Sequence, residues 1–209
     1  MIPKIIHQIW LGDQSKRPDR FINTWRDLNP TWEHKLWTEE NMPQSWIKRH
    51  FDQCPSLAGK ADILRYQLLH QEGGFFIDAD AECIRPLDDD LTDNEAFCCW
   101  ENEFLRPGLM SNGYLASVPK NQFLWEMLNQ IGQRGDMNYP PLQTWQITGP
   151  ALLTSVVCSM RYNKMTIYPS HYFIPKHYNG LEYNGKGRVY CKQYWGTTPG
   201  SGYEYGAVR

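Results

Sequence analysis

Two aspartates set one residue apart, Asp78 and Asp80, follow an apolar run in "GGFFIDADAECIRPL", residues 73–87. A strand that spends Phe75, Phe76 and Ile77 on a core has no reason to end in paired carboxylates unless a cation meets them there. In a strand, residues two apart project to the same side, so the spacing predicts that Asp78 and Asp80 point together and Ala79 points away. Open α/β sheets collect ligands just past the carboxyl ends of their strands. Two hard carboxylate ligands suit Mg2+ or Mn2+ rather than zinc, and such ions keep room for phosphate oxygens. A metal there would neutralise a diphosphate as the bond to it breaks. The triplet alone is weak, because acidic residues after a strand often do no more than cap a turn.

Asp62 and Arg65 strengthen the case. They lie three apart in a helical pattern and therefore share a face. One reading is a surface ion pair, which contributes little to stability. The other is a grip on sugar hydroxyls, with Arg65 also close to phosphate. The helix runs through Gly73 and Gly74 straight into the acidic strand, which sets this face beside the carboxylates.

Those residues need elements to position them. Residues 4–11, "KIIHQIWL", read as a first strand stopped by Gly12-Asp13. Pro18 opens a helix with Phe21, Ile22, Trp25 and Leu28 on one face, ended by Asn29-Pro30. Residues 32–37 alternate as a second strand, and a polar, helical stretch follows to about residue 53. The clearest helix is "SLAGKADILRYQLLHQEGG", with Leu57, Ala61, Leu64 and Leu68 as its buried stripe and a left-handed glycine at its stop. Strand thus alternates with helix, the pattern of an α/β fold with a mostly parallel sheet flanked by helices. Further on, residues 95–100, 113–117 and 165–169 read as strands, and 121–131 and 148–160 as helices, the latter with Pro150 in its first turn. "YNGKGRVYC" suggests a hairpin and "WGTTPGSGYEYG" a flexible loop. With no linker visible, the expectation is one domain over 1–209.

At this point the sequence resembles a family. "IPKIIHQIW", "KADILRYQLLHQEGGFFIDADAE" and "ITGP" at 147–150 are similar to the DXD-containing sugar transferases. That group includes yeast initiating α-mannosyltransferases, capsular polysaccharide transferases and, more distantly, clostridial glucosylating toxins. Large DNA viruses of algae carry short enzymes of this kind, including capsid glycosyltransferases. The match covers the first half well and the second half thinly. The resemblance implies a GT-A (Rossmann-like) fold with a nucleotide-sugar-binding half over about 1–95 and an acceptor-side half over about 96–209. It implies a metal-dependent hexosyltransferase that uses Mn2+ or Mg2+ and a nucleotide-sugar donor, a UDP-sugar ahead of a GDP-sugar, and acts on a glycan or glycoprotein hydroxyl. By motif position Asp80 would bind the metal, while Asp78 would contact ribose or donor sugar and reach the metal through water. Asp62 and Arg65 would hold the donor sugar. Trp10, at the end of the first strand, would stack on the nucleobase; a core role is the other reading of its position. In the family a His and then a Ser-Trp pair close over the metal and diphosphate. Here "KQYWGTTPG" stands in that region, so Thr197 or Thr198 would replace the Ser, Tyr194 or Trp195 would cover the phosphates, and the His is missing.

Composition narrows the alternatives. A formal net charge of -2 offers no basic stripe for nucleic acid. No apolar run approaches the roughly 20 residues of a membrane helix. The six cysteines show no CxxC spacing and read as reduced thiols. Together these predict a soluble, cytoplasmic protein, in the host cytoplasm if it is viral. No histidine stands in a metal spacing; His7 reads as buried and hydrogen-bonded, and His171 and His177 as structural or surface residues. Glu101, Asn102 and Glu103 could supply a carboxylate to an acceptor hydroxyl, Asn112 could lie near the reacting carbon, and Asp88–Asp90 reads as a solvated turn. Two rival functions remain. A DxD phosphatase expects Thr or Val where this chain has Glu82 and places its motif near the start of the fold. A non-catalytic nucleotide-sugar-binding module would have little reason to keep Asp62, Arg65, Asp78 and Asp80 together.

Overall fold

A computed structural model of the chain describes residues 1–140 and 143–196. Its main sheet has six strands: β1 (Ile5–Ile9), β2 (Glu33–Trp37), β3 (Gly74–Ile77), β5 (Ala96–Asn102), β6 (Arg106–Ser117) and β7 (Met165–Tyr168), in the order β2-β1-β3-β6-β5-β7. β1 pairs parallel with β2 and β3, and β5 parallel with β7, while β6 runs antiparallel between β3 and β5. Five strands therefore share one direction and β6 opposes them, a mixed and mostly parallel α/β sheet. A two-stranded sheet pairs β4 (Ala81–Cys83) with β8 (Cys191–Gln193) in antiparallel register.

Alternation along the strands assigns side chains to two apolar layers. Phe76 and Leu115 pack with Leu64, Leu68, Phe123, Leu128 and Leu153 from α3 (Leu57–Glu72), α4 (Gln122–Gly132) and α6 (Pro150–Ser159). Phe75, Ile77, Phe97 and Tyr114 point the other way, onto Trp25 of α1 (Asp19–Leu28) and onto Phe173 and Tyr190. Two shorter helices, α2 (Lys48–Gln53) and α5 (Thr144–Ile147), complete the α-helices among the described residues.

α3 matters most for the site. The Ser56 hydroxyl caps its start by accepting from the Gly59 amide at 3.0 Å. Gly73 and Gly74 end it, and both take positive φ, +70° and +101°, rather than one of them. A Cβ at Gly73 would stand 2.8 Å from the Pro119 nitrogen, so glycine alone allows the chain to turn there into β3. The expected apolar stripe is corrected at its first member, because Leu57 is 51% exposed. Ile63, Tyr66 and Leu69 are fully buried with Leu64 and the polar Gln67, and Asp62 and Arg65 are buried beside them. A helix covered by the sheet on one side and by neighbouring helices on others buries more than one stripe.

Three further expectations change. Only Lys48–Gln53 of the polar stretch before residue 53 is helical. Residues 183–190 form no hairpin; the chain crosses instead to pair β8 with β4, more than a hundred positions away. β6 begins at Arg106, well before the alternating "GYLAS". Six cysteines are free thiols, and Cys158 is exposed while the other five are buried. Among the described residues no helix is long and apolar enough to cross a membrane.

Candidate functional site

β3 ends at Ile77, and Asp78-Ala79-Asp80 forms a turn rather than an extension of the strand. The Ala81 amide closes it by donating to the Asp78 carbonyl at 3.2 Å. Strand alternation therefore does not aim the two aspartates. The turn does, and both still line one cavity of about 730 Å³ at the carboxyl ends of β1 and β3.

Asp78 sits in a backbone cradle. Its amide donates to the Gly113 carbonyl at 3.0 Å, and a Cβ on Gly113 would fall 2.3 Å from Asp78 Oδ2. Glycine at 113 is the condition for the carboxylate lying against β6. Its Oδ1 accepts from Arg65 Nη2 at 3.1 Å. The same guanidinium nitrogen is 3.4 Å from Asp62 Oδ1, and Nη1 donates to the Asn112 carbonyl. The guanidinium carbon lies 3.9 Å from the centre of the Phe76 ring. Arg65 Nε has no hydrogen-bond partner among the described residues.

Asp62 is held from two further sides. Asn112 Nδ2 donates to its Oδ1 at 2.8 Å, and Thr148 Oγ1 donates to its Oδ2 at 2.9 Å. Tyr66 joins by accepting from Asn112 Nδ2 at 2.8 Å and donating to the Thr148 carbonyl at 2.5 Å. The pair read as either a surface contact or a sugar grip is thus no surface pair: Arg65 is 5% and Asp62 6% exposed. The helix face predicted from the i, i+3 spacing does meet the acidic turn.

Asp80 is bound by the far end of the chain. Gln193 Nε2 donates to its Oδ1 at 2.9 Å, and the Gly196 amide donates to its Oδ2 at 2.7 Å. Gln193 is itself fixed by the Tyr114 hydroxyl, which donates to Oε1. Burial raises the Asp80 carboxyl to about 6, with the charge of Asp78 adding to the rise and the Gly196 and Gln193 hydrogen bonds opposing it. Asp62 is likewise raised to about 6 by burial, against the pull of Arg65. Asp78 keeps about a third of its side chain open to the cavity, yet lost hydration still raises it, with Arg65 opposing.

Three carboxylates against one guanidinium leave this wall short of positive charge. Asp78 and Asp80 present oxygen ligands only, and among the described residues no group of three or more His, Cys, Asp or Glu could hold a metal ion. The donor set fits a hard cation that takes its remaining oxygens from a ligand or water, as Mg2+ and Mn2+ do.

Trp10 follows β1 on the same cavity wall, half-buried, with its indole Nε1 donating to the Asp13 carbonyl at 3.1 Å. Of the two aromatic residues expected over the phosphates, Trp195 lines the cavity. Tyr194 does not: its ring stacks on Phe21 at 4.4 Å and its hydroxyl donates to Glu82 at 2.7 Å. Thr197 and Thr198 lie outside the described residues. His7 is fully buried between the Gly73 carbonyl, 2.9 Å away, and the Trp37 indole N–H, 3.1 Å away.

Sequence reasoning gave no role to Thr148, Tyr66, Gly113 or Gln193. Thr148 lies within the quoted "ITGP", so its signal was present. Gln193 lies within the quoted "KQYWGTTPG", but its partner Asp80 follows only from the β4–β8 pairing.

The family described as glycosyltransferase sugar-binding region containing DXD motif matches residues 15–98, which include α3, β3 and the acidic turn. Inositol phosphoceramide mannosyltransferase 3 of Schizosaccharomyces pombe is 28% identical over 170 residues, covering 77% of this chain and 46% of its own. Inositol phosphoceramide mannosyltransferase 2 of the same organism is 32% identical over 163 residues, covering 72% and 44%. The chain therefore spans less than half the length of these relatives. Among solved structures, the UDP-bound glycosyltransferase domain from the YGT toxin superposes with a TM-score of 0.55 at 13% identity, covering 79% of each chain. That likeness concerns the fold.

Proposed function

This chain belongs to the DXD-containing sugar-transferase family, shown by a relative 32% identical over 72% of this chain's length together with the motif match at 15–98, and from that premise we propose that it moves a hexose from a nucleotide diphosphate sugar to an acceptor hydroxyl with the help of Mn2+ or Mg2+. The observation that carries the reading is the single cavity wall on which Asp62, Arg65, Asp78 and Asp80 meet, with Trp10 on the same cavity.

Asp80 would be the direct protein ligand of the metal. Its hydrogen bonds from Gln193 and Gly196 use one lone pair on each oxygen and fix its orientation, leaving others for a cation. Asp78 would bind ribose or donor sugar and reach the metal through water. Arg65 and Asp62 would orient the donor sugar, with Asn112, Thr148 and Tyr66 locking both in place. Trp10 would stack on the base. The bound cation would supply charge neutralisation for the departing diphosphate. Thr197 is proposed beside the diphosphate from motif position alone.

A UDP-sugar is the first choice, supported by the nucleotide in the YGT toxin domain, and a GDP-sugar the second. The acceptor is proposed as a glycan or glycoprotein hydroxyl, and mannose enters the candidate sugars through the names of the yeast relatives. The deciding experiment is calorimetric titration with UDP, UDP-glucose and GDP-mannose, each with Mn2+ and with chelator. Metal-dependent binding of at least one is expected. A folded protein that binds none of them, or binds equally well in chelator, contradicts the reading.

A further inference from the structure

The second half of the cavity carries a carboxylate that the donor reading does not use. Of the run Glu101-Asn102-Glu103, two members are committed to structure. Asn102 Oδ1 accepts the amides of Phe104 and Leu105, each at 3.0 Å. Glu103 accepts from the Ser170 amide at 2.7 Å and from the Ser170 hydroxyl at 2.5 Å. Glu101 lines the cavity with a side chain 15% exposed.

Behind Glu101 stands His177, with a side chain 2% exposed and Nε2 3.5 Å from Glu101 Oε1. Its Nδ1 is 3.1 Å from Asn179 Oδ1, and that oxygen also accepts the Leu181 amide at 3.2 Å. The Asn179 atom is thus an acceptor, so Nδ1 carries the imidazole hydrogen. Nε2 is buried, has no hydrogen-bond partner among the described residues and stands behind Glu101, so His177 backs the carboxylate without reaching the cavity itself. The Glu101 oxygens that face the cavity are acceptors, and a ligand hydroxyl supplies the hydrogen they take.

The surroundings say what kind of hydroxyl. Tyr178 and Trp195 both line the cavity and pack on His177, with ring centroids at 4.3 and 5.0 Å. Their own rings meet nearly edge to face, at 71° and 5.5 Å. Trp195 holds φ of +58°, a costly conformation for a tryptophan, and its indole donates to the Lys176 carbonyl at 3.1 Å. Flat apolar rings beside a carboxylate suit a molecule with a C–H face and hydroxyls on its rim. An alkyl chain offers no donor, and a serine side chain offers no face. The corner is also tied to the acidic turn, because Gln193 and Gly196, on either side of Trp195, hold Asp80.

We propose that Glu101, positioned by His177 and flanked by Tyr178 and Trp195, binds a hydroxyl of a carbohydrate ring and forms the acceptor subsite. The proposal rests on the transferase reading for the use made of that sugar. Glu101 is a binding residue and His177 a positioning residue.

The test is saturation-transfer difference NMR on the full chain with UDP and Mg2+ present. Methyl α-D-mannopyranoside, methyl β-D-glucopyranoside and methyl β-D-galactopyranoside are compared with N-acetylserine methylamide and octanol. At least one glycoside is expected to bind, and Glu101→Gln to weaken it about tenfold, the difference between a charged and a neutral hydrogen-bond acceptor. Nucleotide affinity, read by calorimetry, should not change. His177→Asn should weaken the glycoside less, and Tyr178→Ala more than Tyr178→Phe, because the ring face is kept in the latter. Thermal melts exclude unfolding, and Glu101→Gln keeps the test open if His177→Asn does not fold. Nucleotide binding without glycoside binding, an unchanged Glu101→Gln variant, or preference for the serine compound or octanol would each overturn the subsite. Glycoside binding without nucleotide binding would overturn the transferase reading and leave the sugar corner standing.

Discussion

Two acidic runs, Asp78-Ala79-Asp80 and Asp88-Asp89-Asp90, lie close in the chain and differ by one residue type, yet their carboxylates are in opposite states. The second run is neutralised by the protein. Asp88 meets Arg85 at 3.1 Å and Arg188 at 3.3 Å, Asp89 meets Lys4 at 2.7 Å, and Asp90 meets Arg188 at 2.6 Å. Burial alone would raise Asp88, but a hydrogen bond from Tyr190 and the charges of Arg85 and Arg188 hold it below the usual range. In the first run Arg65 reaches Asp78 from one side, and among the described residues Asp80 receives only neutral donors. Its carboxyl is raised by burial and by its neighbour. Charge satisfied at the surface is structure; charge left unsatisfied in a cavity is a site for a ligand of opposite sign.

The largest effect expected in breaking this contrast is on Arg65. Replacement by Met should cost about 3–5 kcal/mol in denaturant unfolding at pH 7, because it strands Asp62 and Asp78 without their counter-charge. The loss should shrink as pH falls. Asp62, at about 6, favours the folded state as the protonated acid; that contribution is complete below about 3.8 and is lost as pH rises through 6. A loss that grows on acidification would contradict the assignment of Asp62. At the surface run, Arg188→Ala should move the melting temperature by no more than about 2 °C, since its pairs are partly solvated and screened. A larger drop would contradict the reading of the second run as a partly solvated, weakly coupled surface network.

Much of the acidic site was legible because its determinants are local. The Gly73-Gly74 stop, the helix before it and the apolar β3 follow from propensity and turn chemistry, and α3 carries Asp62 and Arg65 on the face their spacing predicts. The aim of Asp78 and Asp80 was inferred by strand alternation, although a turn sets it; the residues converge by a different geometry. What was not legible depends on distant pairing. Gln193 reaches Asp80 only because β8 crosses to β4, and Glu101 acquires its meaning from His177, which lies far along the chain. Nothing in a local pattern records such contacts. Leu57 shows the same limit from the packing side: helical periodicity marks an apolar residue but does not say that nothing covers it.

The proposed function requires a divalent cation at the first acidic run and none at the second. The most direct measurement is the calorimetric titration of Mn2+ in the presence of UDP into the wild-type chain, Asp80→Asn and Asp89→Asn. Metal binding is expected in the wild type, its retention in Asp89→Asn, and a loss of at least about tenfold in affinity in Asp80→Asn with the fold intact. Equal Mn2+ affinity in the wild type and a folded Asp80→Asn would contradict it.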